Sequence, residues 1–374
     1  MTVDLISVTT PEHLEQFLQL PRRIYAQIPQ WVEPLRSSIA HQLAPDNPFQ
    51  EYGELQAFLA VQDDRPVGRI VAAVNRRLIE REGQQVGLFG YFETIDSLEV
   101  AQVLLKGAED WLRDRGMTSI RGPINLSTHN SCLFLVDSFD RQPQMMMPYN
   151  PNYYPRLLEQ LHWPKAKDAY AYDLPLDLLL DPKFEKGYKI AIKSGITFRS
   201  IHTKGDGFDE DCKALYELFT TAFANNWSSS ARSEAEFLAE AKDLKQLVDP
   251  DIFPIAEDQG KMIGFFMALP DYNQALKYVN GKLNWCGILK FLWYRRSINR
   301  ARVIGICSLP EYRRKMVPLA LIYLGMKNGT QKGKPYREAE LSYVWEDNSP
   351  SRKIIEASGA KIAKTYRVYE RAIE

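Results

Sequence analysis

The chain has no surplus of charge: 47 Lys and Arg stand against 47 Asp and Glu in 374 residues. Such a balance excludes a global field that would draw the molecule to nucleic acid or to an anionic surface, so any charge-driven partner must be met by a local patch. Cysteine is scarce as well. Cys132, Cys212, Cys286 and Cys307 form no CxxC pair, which argues against a disulfide framework and a zinc centre, and no metal is expected. No run of about 18 apolar residues occurs, so no segment is expected to span a bilayer. Met1 to Pro11 has no basic stretch followed by an apolar one, and a cytoplasmic compartment is the default expectation.

What is present is a globular composition, 45% apolar and 25% charged, at a length that fits two domains. In the first half, Pro11 to Leu20 is helical in pattern. Residues 55–61 and 67–74 form a hairpin around Asp63-Asp64-Arg65-Pro66, and Gln85 to Phe92 reads as a third strand ending at Glu93. Val100, Val103, Leu104, Ala108, Trp111 and Leu112 fall at helical spacing before Gly116. Strands at Ser119 to Gly122 and Ala169 to Leu174 flank a helix at Tyr154 to Leu161.

The second half repeats the order. A strand at Ile196 to Ile201 and helices at Asp209 to Phe223 and Phe237 to Leu247 precede a second hairpin, residues 253–257 and 262–269. We therefore expect two copies of one α/β (α+β) fold, residues 1–178 and 179–374, each a mixed, mostly antiparallel twisted sheet flanked by helices.

One stretch concentrates chemistry. The run Val303-Ile304-Gly305-Ile306-Cys307 reads as a strand, Leu309-Pro310-Glu311 as a turn, and Leu319 to Met326 as a helix, with Arg313, Arg314 and Lys315 between them. A strand that turns into a helix gathers unpaired N–H groups and a positive dipole end at one point, and adjacent cations reinforce an anion site there.

This strand-turn-helix, the later Asn348-Ser349-Pro350-Ser351 run that ends in Ser358-Gly359, and the element order resemble the GCN5-related N-acetyltransferase (GNAT) superfamily. The resemblance implies an acyltransferase that uses acetyl-CoA or a longer acyl-CoA. Cys307, Ser308, Leu309, Arg313, Arg314, Lys315, Met316 and Val317 would hold the cofactor, and the helix led by Asn348 and Ser351 would lie beside the pantetheine arm. Backbone N–H groups near Cys307 to Leu309 would hold the thioester oxyanion. Two departures stand out: Met316 and Pro318 occupy positions where the family has small residues, and Ile355 stands where a tyrosine often protonates the thiolate.

Acid and base are therefore sought elsewhere. Glu93, where the family often places a base, Tyr366, Tyr369 and His129 are the catalytic candidates, with Tyr153, Tyr154 and Tyr343 as further proton donors. Each has a plainer role open to it, in strand closure, packing or an ordinary hydrogen bond.

From Lys277 to Arg302 the chain carries seven cations, no acid and many aromatics. That is the composition of an interfacial helix meeting anionic lipid, while a helix covering its own core or a subunit contact is the alternative. Paired GNAT-like halves with such an insertion, here 276–302, resemble the bacterial GNAT-type ceramide synthases, as do Arg121 to Ser127 and Met147 to Pro151. The implied substrate is a long-chain, sphingoid-like amine, acylated in a cleft between the halves. Two other readings stay open: an aminoacyl or peptidyl transferase with paired GNAT domains, and a catalytically degenerate binding protein.

Overall fold

The computed structural model describes residues 2–177, 180–223 and 226–373; the expected join between the halves, at Leu178 and Leu179, lies outside them. The first half runs β1 (Asp4–Ser7), α1 (Pro11–Ile24), α2 (Arg36–Leu43), β2 (Gly53–Gln62), β3 (Arg65–Asn75), α3 (Arg76–Glu82), β4 (Val86–Thr94), α4 (Leu98–Arg113), β5 (Ser119–Gly122), β6 (Phe134–Leu135), α5 (Tyr153–Gln160) and β7 (Lys165–Pro175). The second begins with α6 (Pro182–Lys193), β8 (Thr197–Ser200), α7 (Gly205–Phe223), α8 (Glu234–Leu244), β9 (Pro254–Asp258), β10 (Lys261–Pro270), α9 (Asn273–Leu276) and α10 (Trp285–Tyr294). It ends with β11 (Arg300–Ser308), α11 (Val317–Gly329), β12 (Glu338–Trp345), α12 (Ser349–Ala357) and β13 (Lys361–Ala372).

Local chemistry explains the repeated hairpins. The β2–β3 turn places Asp63 and Asp64 at φ 49° and 59°, and the β9–β10 turn places Gln259 and Gly260 at 52° and 78°. Both are two-residue turns of the left-handed kind that matches strand twist. Helix α4 starts where the Ser97 side chain accepts from the Val100 N–H and buries Val100, Leu104, Ala108 and Leu112 almost completely.

All the described strands belong to one sheet, ordered β1-β2-β3-β4-β5-β13-β7-β12-β11-β10-β9-β8, with β6 paired to β13. Two pairs are parallel, β4 with β5 and β11 with β12; the other pairings are antiparallel. The centre was not expected from the sequence. The last strand of the chain, β13, lies against β5 of the first half, and β7 lies against β12 of the second. Each half thus lends its final strand to the other, and β13 and β7 pair along Lys361↔Asp173 to Tyr369↔Lys165. The seam is thus continuous sheet, and beside it Ala166, Lys167 and Tyr170 of the first half line one groove together with Trp227, Asp347 and Arg352 of the second.

Helices cover both faces. On one face of the first half α1 and the loops after β5 bury Phe17, Leu59, Val71 and Tyr366, and on the other α4 and α5 bury Ala72, Leu104 and Tyr369. In the second half α6, α11 and α12 cover Val303 and Leu341, while α7 covers Phe265 and Cys307.

Charges are buried at the seam. Lys364 on β13 reaches Glu340 on β12 at 2.6 Å, the two side chains being 3% and 1% exposed. Arg302 on β11 donates to the Ser342 Oγ and C=O, both at 3.0 Å, and to the Met145 C=O at 2.7 Å. Removing one partner of such a pair leaves an uncompensated buried charge. Lys364→Met should lower the unfolding free energy by about 3–5 kcal/mol in urea titration, and a Lys364→Met/Glu340→Leu double variant should recover most of the loss; equal stability of wild type and single variant would refute the seam as drawn.

Candidate functional site

The site is built by a strand that leaves its neighbour. β11 pairs with β12 from Arg300↔Glu338 to Val303↔Leu341 and no further. β12 then continues with β7 through Val344↔Tyr170 and Trp345↔Ala169, whereas β11 stays with β10 up to Gly264↔Ser308. A register shift between Met267 and Ala268 gives β11 an extra residue at Ile304, and such a bulge bends the strand away. Ile304 to Ser308 therefore present a backbone edge with no strand partner among the described residues, one wall of a V-shaped opening.

Past the V comes the expected turn. The Leu309 N–H donates to the Ile263 C=O at 2.9 Å, Pro310–Tyr312 make a short 3-10 turn, and Met316, at φ 61°, is the N-cap of α11. The backbone at Met316 is left-handed, and a side chain carries a steric cost at that angle. No side chain caps α11, and Pro318 sits in its first turn, where its missing N–H is tolerated. Arg313 and Arg314 are exposed and make no ion pair among the described residues, while Lys315 leans on the Tyr312 ring and approaches Asp258 at 3.4 Å.

The first half has the same V, but closed. β4 pairs with β5 from Val86↔Ser119 to Leu88↔Arg121 and then departs. The space beyond is filled by the chain itself: Ile124 N–H donates to the Phe89 C=O and Tyr91 N–H to the Asn125 Oδ1, each at 2.7 Å. A Cβ on Gly90 would fall 2.6 Å from the Ile124 oxygen, so the plug requires glycine there. Helix α4 also begins with Asp96 and Glu99 around its Ser97 cap, opposite in charge to the turn before α11.

Behind the open V is a narrow apolar hollow of about 40 Å³. Val303, Ile306, Leu341, Ile322, Ile354 and Ile355 contribute to its wall. Ile355 is therefore a lining residue on α12, and Asn348 and Ser351 belong to that helix's start, the Asn348 side chain accepting from the Ser351 N–H at 3.3 Å. Cys307 and Ser308 are buried in β11, and burial pushes the Cys307 thiol up to about 11. Beside the outer end of β12, Trp227, Tyr170, Glu346, Asp347 and Arg352 line a shallow polar groove.

The other candidates stand apart from this V. Glu93 is the penultimate residue of β4, and β5, β13, β7 and β12 intervene before β11, a separation of roughly 24 Å at the usual strand spacing. Its carboxylate accepts from Tyr25 at 2.8 Å and Tyr154 at 2.7 Å and faces Arg69 at 3.6 Å, joining α1, β4 and α5; burial raises its pKa. Tyr366 and Tyr369 sit on opposite faces of β13, fully buried; the Tyr369 hydroxyl is 3.2 Å from Glu159. Tyr343 alone of the tyrosines considered lies on a strand bounding the V, where β12 parts from β11, with its hydroxyl near Cys132 and the Thr128 C=O.

His129 has a docking geometry. Its Nε2 lies 2.8 Å from the Ser230 C=O, and the same loop of the second half is held by Asn75 at the Ser230 Oγ and by Arg121 at the Ser228 Oγ. The sequence reading missed this clasp. Its signal was two uncharged polar runs, Asn125 to Asn130 and Ser228 to Ser230, that satisfy each other once buried.

Strand order, the paired Vs and the turn before α11 define a tandem GNAT fold. The chain aligns over 100% of its length, and 99% of the other, with a tandem GNAT protein from the clavulanic acid biosynthesis pathway (TM-score 0.58, 13% identity). It aligns as fully with a GCN5-related N-acetyltransferase from Sphaerobacter thermophilus, covering 96% of that chain (TM-score 0.54, 14% identity). No protein-family model matches. Curated relatives go further: the chain is 33% identical over 379 residues to the bacterial ceramide synthase of Caulobacter vibrioides, covering 99% of this chain and 98% of that protein. It is 30% identical over 365 residues to Protein YghO of Escherichia coli, covering 96% and 93%. The chain belongs to the family of these two proteins, and acyl transfer is the chemistry that family name and fold have in common.

The His129 environment makes a pH prediction. Burial, with Arg232 nearby, lowers its pKa from 6.5 to about 4, so between these values the unfolded chain binds more protons and stability falls as pH falls. Urea midpoints should drop from pH 6.5 to about 4, and His129→Gln should flatten this limb; an identical slope in the variant would contradict the clasp.

Proposed function

We propose that this protein is an acyl-CoA-dependent N-acyltransferase that acylates a long-chain amine, with the acyl-CoA held by the second half. The observation that carries the reading is the contrast between the two Vs. One is plugged by Ile124 and Asn125 and headed by Asp96 and Glu99; the other has a free strand edge and leads to three cations at an uncapped helix start.

The residues fit the co-substrate. Arg313, Arg314 and the first N–H groups of α11 suit a pyrophosphate, and Pro318 subtracts only one donor. N–H groups on the free edge between Ile304 and Ser308 suit the thioester oxygen, where charge grows during attack. In the reaction the amine nitrogen bonds to the thioester carbon, the carbon–sulfur bond breaks, and the amine's proton is lost as the CoA thiol forms. Catalysis in this reading rests on positioning, because the buried carboxylate of Glu93 is strands away. The apolar lining of the hollow behind Ile306 suits the acyl end of the donor, and the ceramide synthase name of the Caulobacter relative points to a sphingoid-like amine as acceptor.

Arg313→Ala should raise the Kd for acyl-CoA roughly tenfold in calorimetric titration with the unfolding transition unchanged; an unaltered Kd would sink the assignment of the turn. Ile306→Trp should move the chain-length optimum, read as kcat/KM across a series of acyl-CoAs, toward shorter chains. A profile that does not shift would remove the hollow from the substrate site.

A further inference from the structure

Twelve large apolar side chains stand exposed among the described residues, and seven of them, Tyr278, Leu283, Trp285, Ile288, Leu289, Leu292 and Trp293, lie in a single stretch. Trp285 and Trp293 are 73% and 69% exposed, an exposure that a tryptophan seldom has without a partner. Their helix, α10, is well formed: the Asn284 side chain accepts from the Gly287 N–H at 2.9 Å. Its inner side is anchored, with Phe291 against Tyr272 at 5.7 Å between ring centroids and Tyr294 stacked on Tyr278 at 3.7 Å. On the outer side Ile288, Leu292, Trp285, Leu289 and Trp293 share an arc of roughly 140°.

Charge identifies the partner. Lys277, Lys282, Lys290, Arg295 and Arg296 surround this face, all exposed and without an ion pair among the described residues. No acid occurs between Lys277 and Arg302, and the carboxylate that approaches from another element, Glu33 against Gly281, is paired with Arg36 at 2.7 Å. We propose that α10 is a membrane-docking element that lies in the headgroup region of an anionic bilayer, its tryptophans and leucines in the interface and its cations on lipid phosphates. Ten residues make a helix of roughly 15 Å, too short to span. A second copy fits this face less well, because a two-fold contact would set five cations against five.

Docking would orient the molecule. α10 ends six residues before β11 begins, and Ala301, Val303 and Ile306 on β11 line the apolar hollow. The hollow's wall thus extends toward the lipid-facing end of the strand, while Arg313 to Lys315 lie past its other end, roughly 30 Å away at strand rise. The docking claim stands on the surface alone and does not need the proposed reaction.

The test is flotation of the full chain with vesicles of phosphatidylcholine alone or in equimolar mixture with phosphatidylglycerol. The wild type should float with the mixed vesicles, release at high salt, and bind the neutral ones weakly. Trp285→Glu/Trp293→Glu should cut partition by roughly tenfold or more without moving the unfolding transition. A polarity-sensitive dye on Cys286, the exposed cysteine among four of which the others are buried, should shift to the blue on mixed vesicles. Failure of the wild type to float, or equal flotation of the variant, overturns the proposal, as does a variant-sensitive dimer with no vesicle binding. Intact flotation together with absent acyl transfer would leave this inference standing and remove the proposed reaction.

Discussion

Everything else in the molecule depends on the exchange of β7 and β13. Both are interior strands, packed on two faces, and Ala169, Ala171, Tyr172, Tyr366 and Val368 have no accessible surface while Tyr369 has 1%. A one-residue slip would turn this whole set over and drive Lys364 into an apolar face, so burial itself fixes the register. The pair Tyr369↔Gly122 joins residues from the end and the first third of the chain. Neither half can complete its sheet until the other is present, which binds the two repeats into one cooperative body. The charges buried at the seam, Lys364, Glu340 and Arg302, stabilise it less by their attraction than by the cost of any arrangement that separates them.

Given a shared topology, the difference between the halves comes down to a few residues. In the first, Pro123 to Asn125 fold back on β4, and the Asn125 amide oxygen takes the N–H that the missing strand would have taken. That V is satisfied internally and has become a strut, further tied by His129 and Arg121 to the serine loop of the second half. In the second, no such segment follows β12, whose end runs straight into α12. The open V, its free strand edge and the cationic turn of Arg313 and Arg314 therefore lie in one half.

Where structure is decided within a dozen residues, the sequence was a good guide. The two hairpins were legible from Asp63-Asp64 and Gln259-Gly260, α4 from its spacing, and the cationic turn from the order strand, turn, helix. Helix α6 was not, because Gly187 interrupts its pattern; the glycine is there because a Cβ would meet Leu319 at 2.8 Å, a contact no local reading can see. The strand exchange was equally out of reach: alternation shows that β7 and β13 are strands, not which edge each will find. For the same reason nothing in the sequence shows that four strands separate Glu93, a strand-end carboxylate, from the strand that leads to Arg313. Site residues read singly were placed correctly on their elements, and the distances between them were not available.

A net charge of zero does not require each charge to be paired locally. Exposed cations without an ion pair among the described residues stand at both ends of β11, on α10 before it and at Arg313 and Arg314 after it, whereas Arg121 is paired with Glu82 and Glu370, and Arg367 with Asp168. Paired charges near a surface are screened and contribute little field. Unpaired ones act at short range on whatever anion comes near, so a neutral chain can carry two local anion sites with no long-range attraction between the rest of its surface and nucleic acid or lipid. One strand, bent by a bulge at Ile304, sets the distance between them, and the apolar wall of the hollow occupies the interval. In the proposed reaction the phosphorylated end of the acyl donor would meet Arg313 and Arg314 and its apolar end the wall of the hollow, so that proposal rests on the geometry of β11 more than on any single side chain.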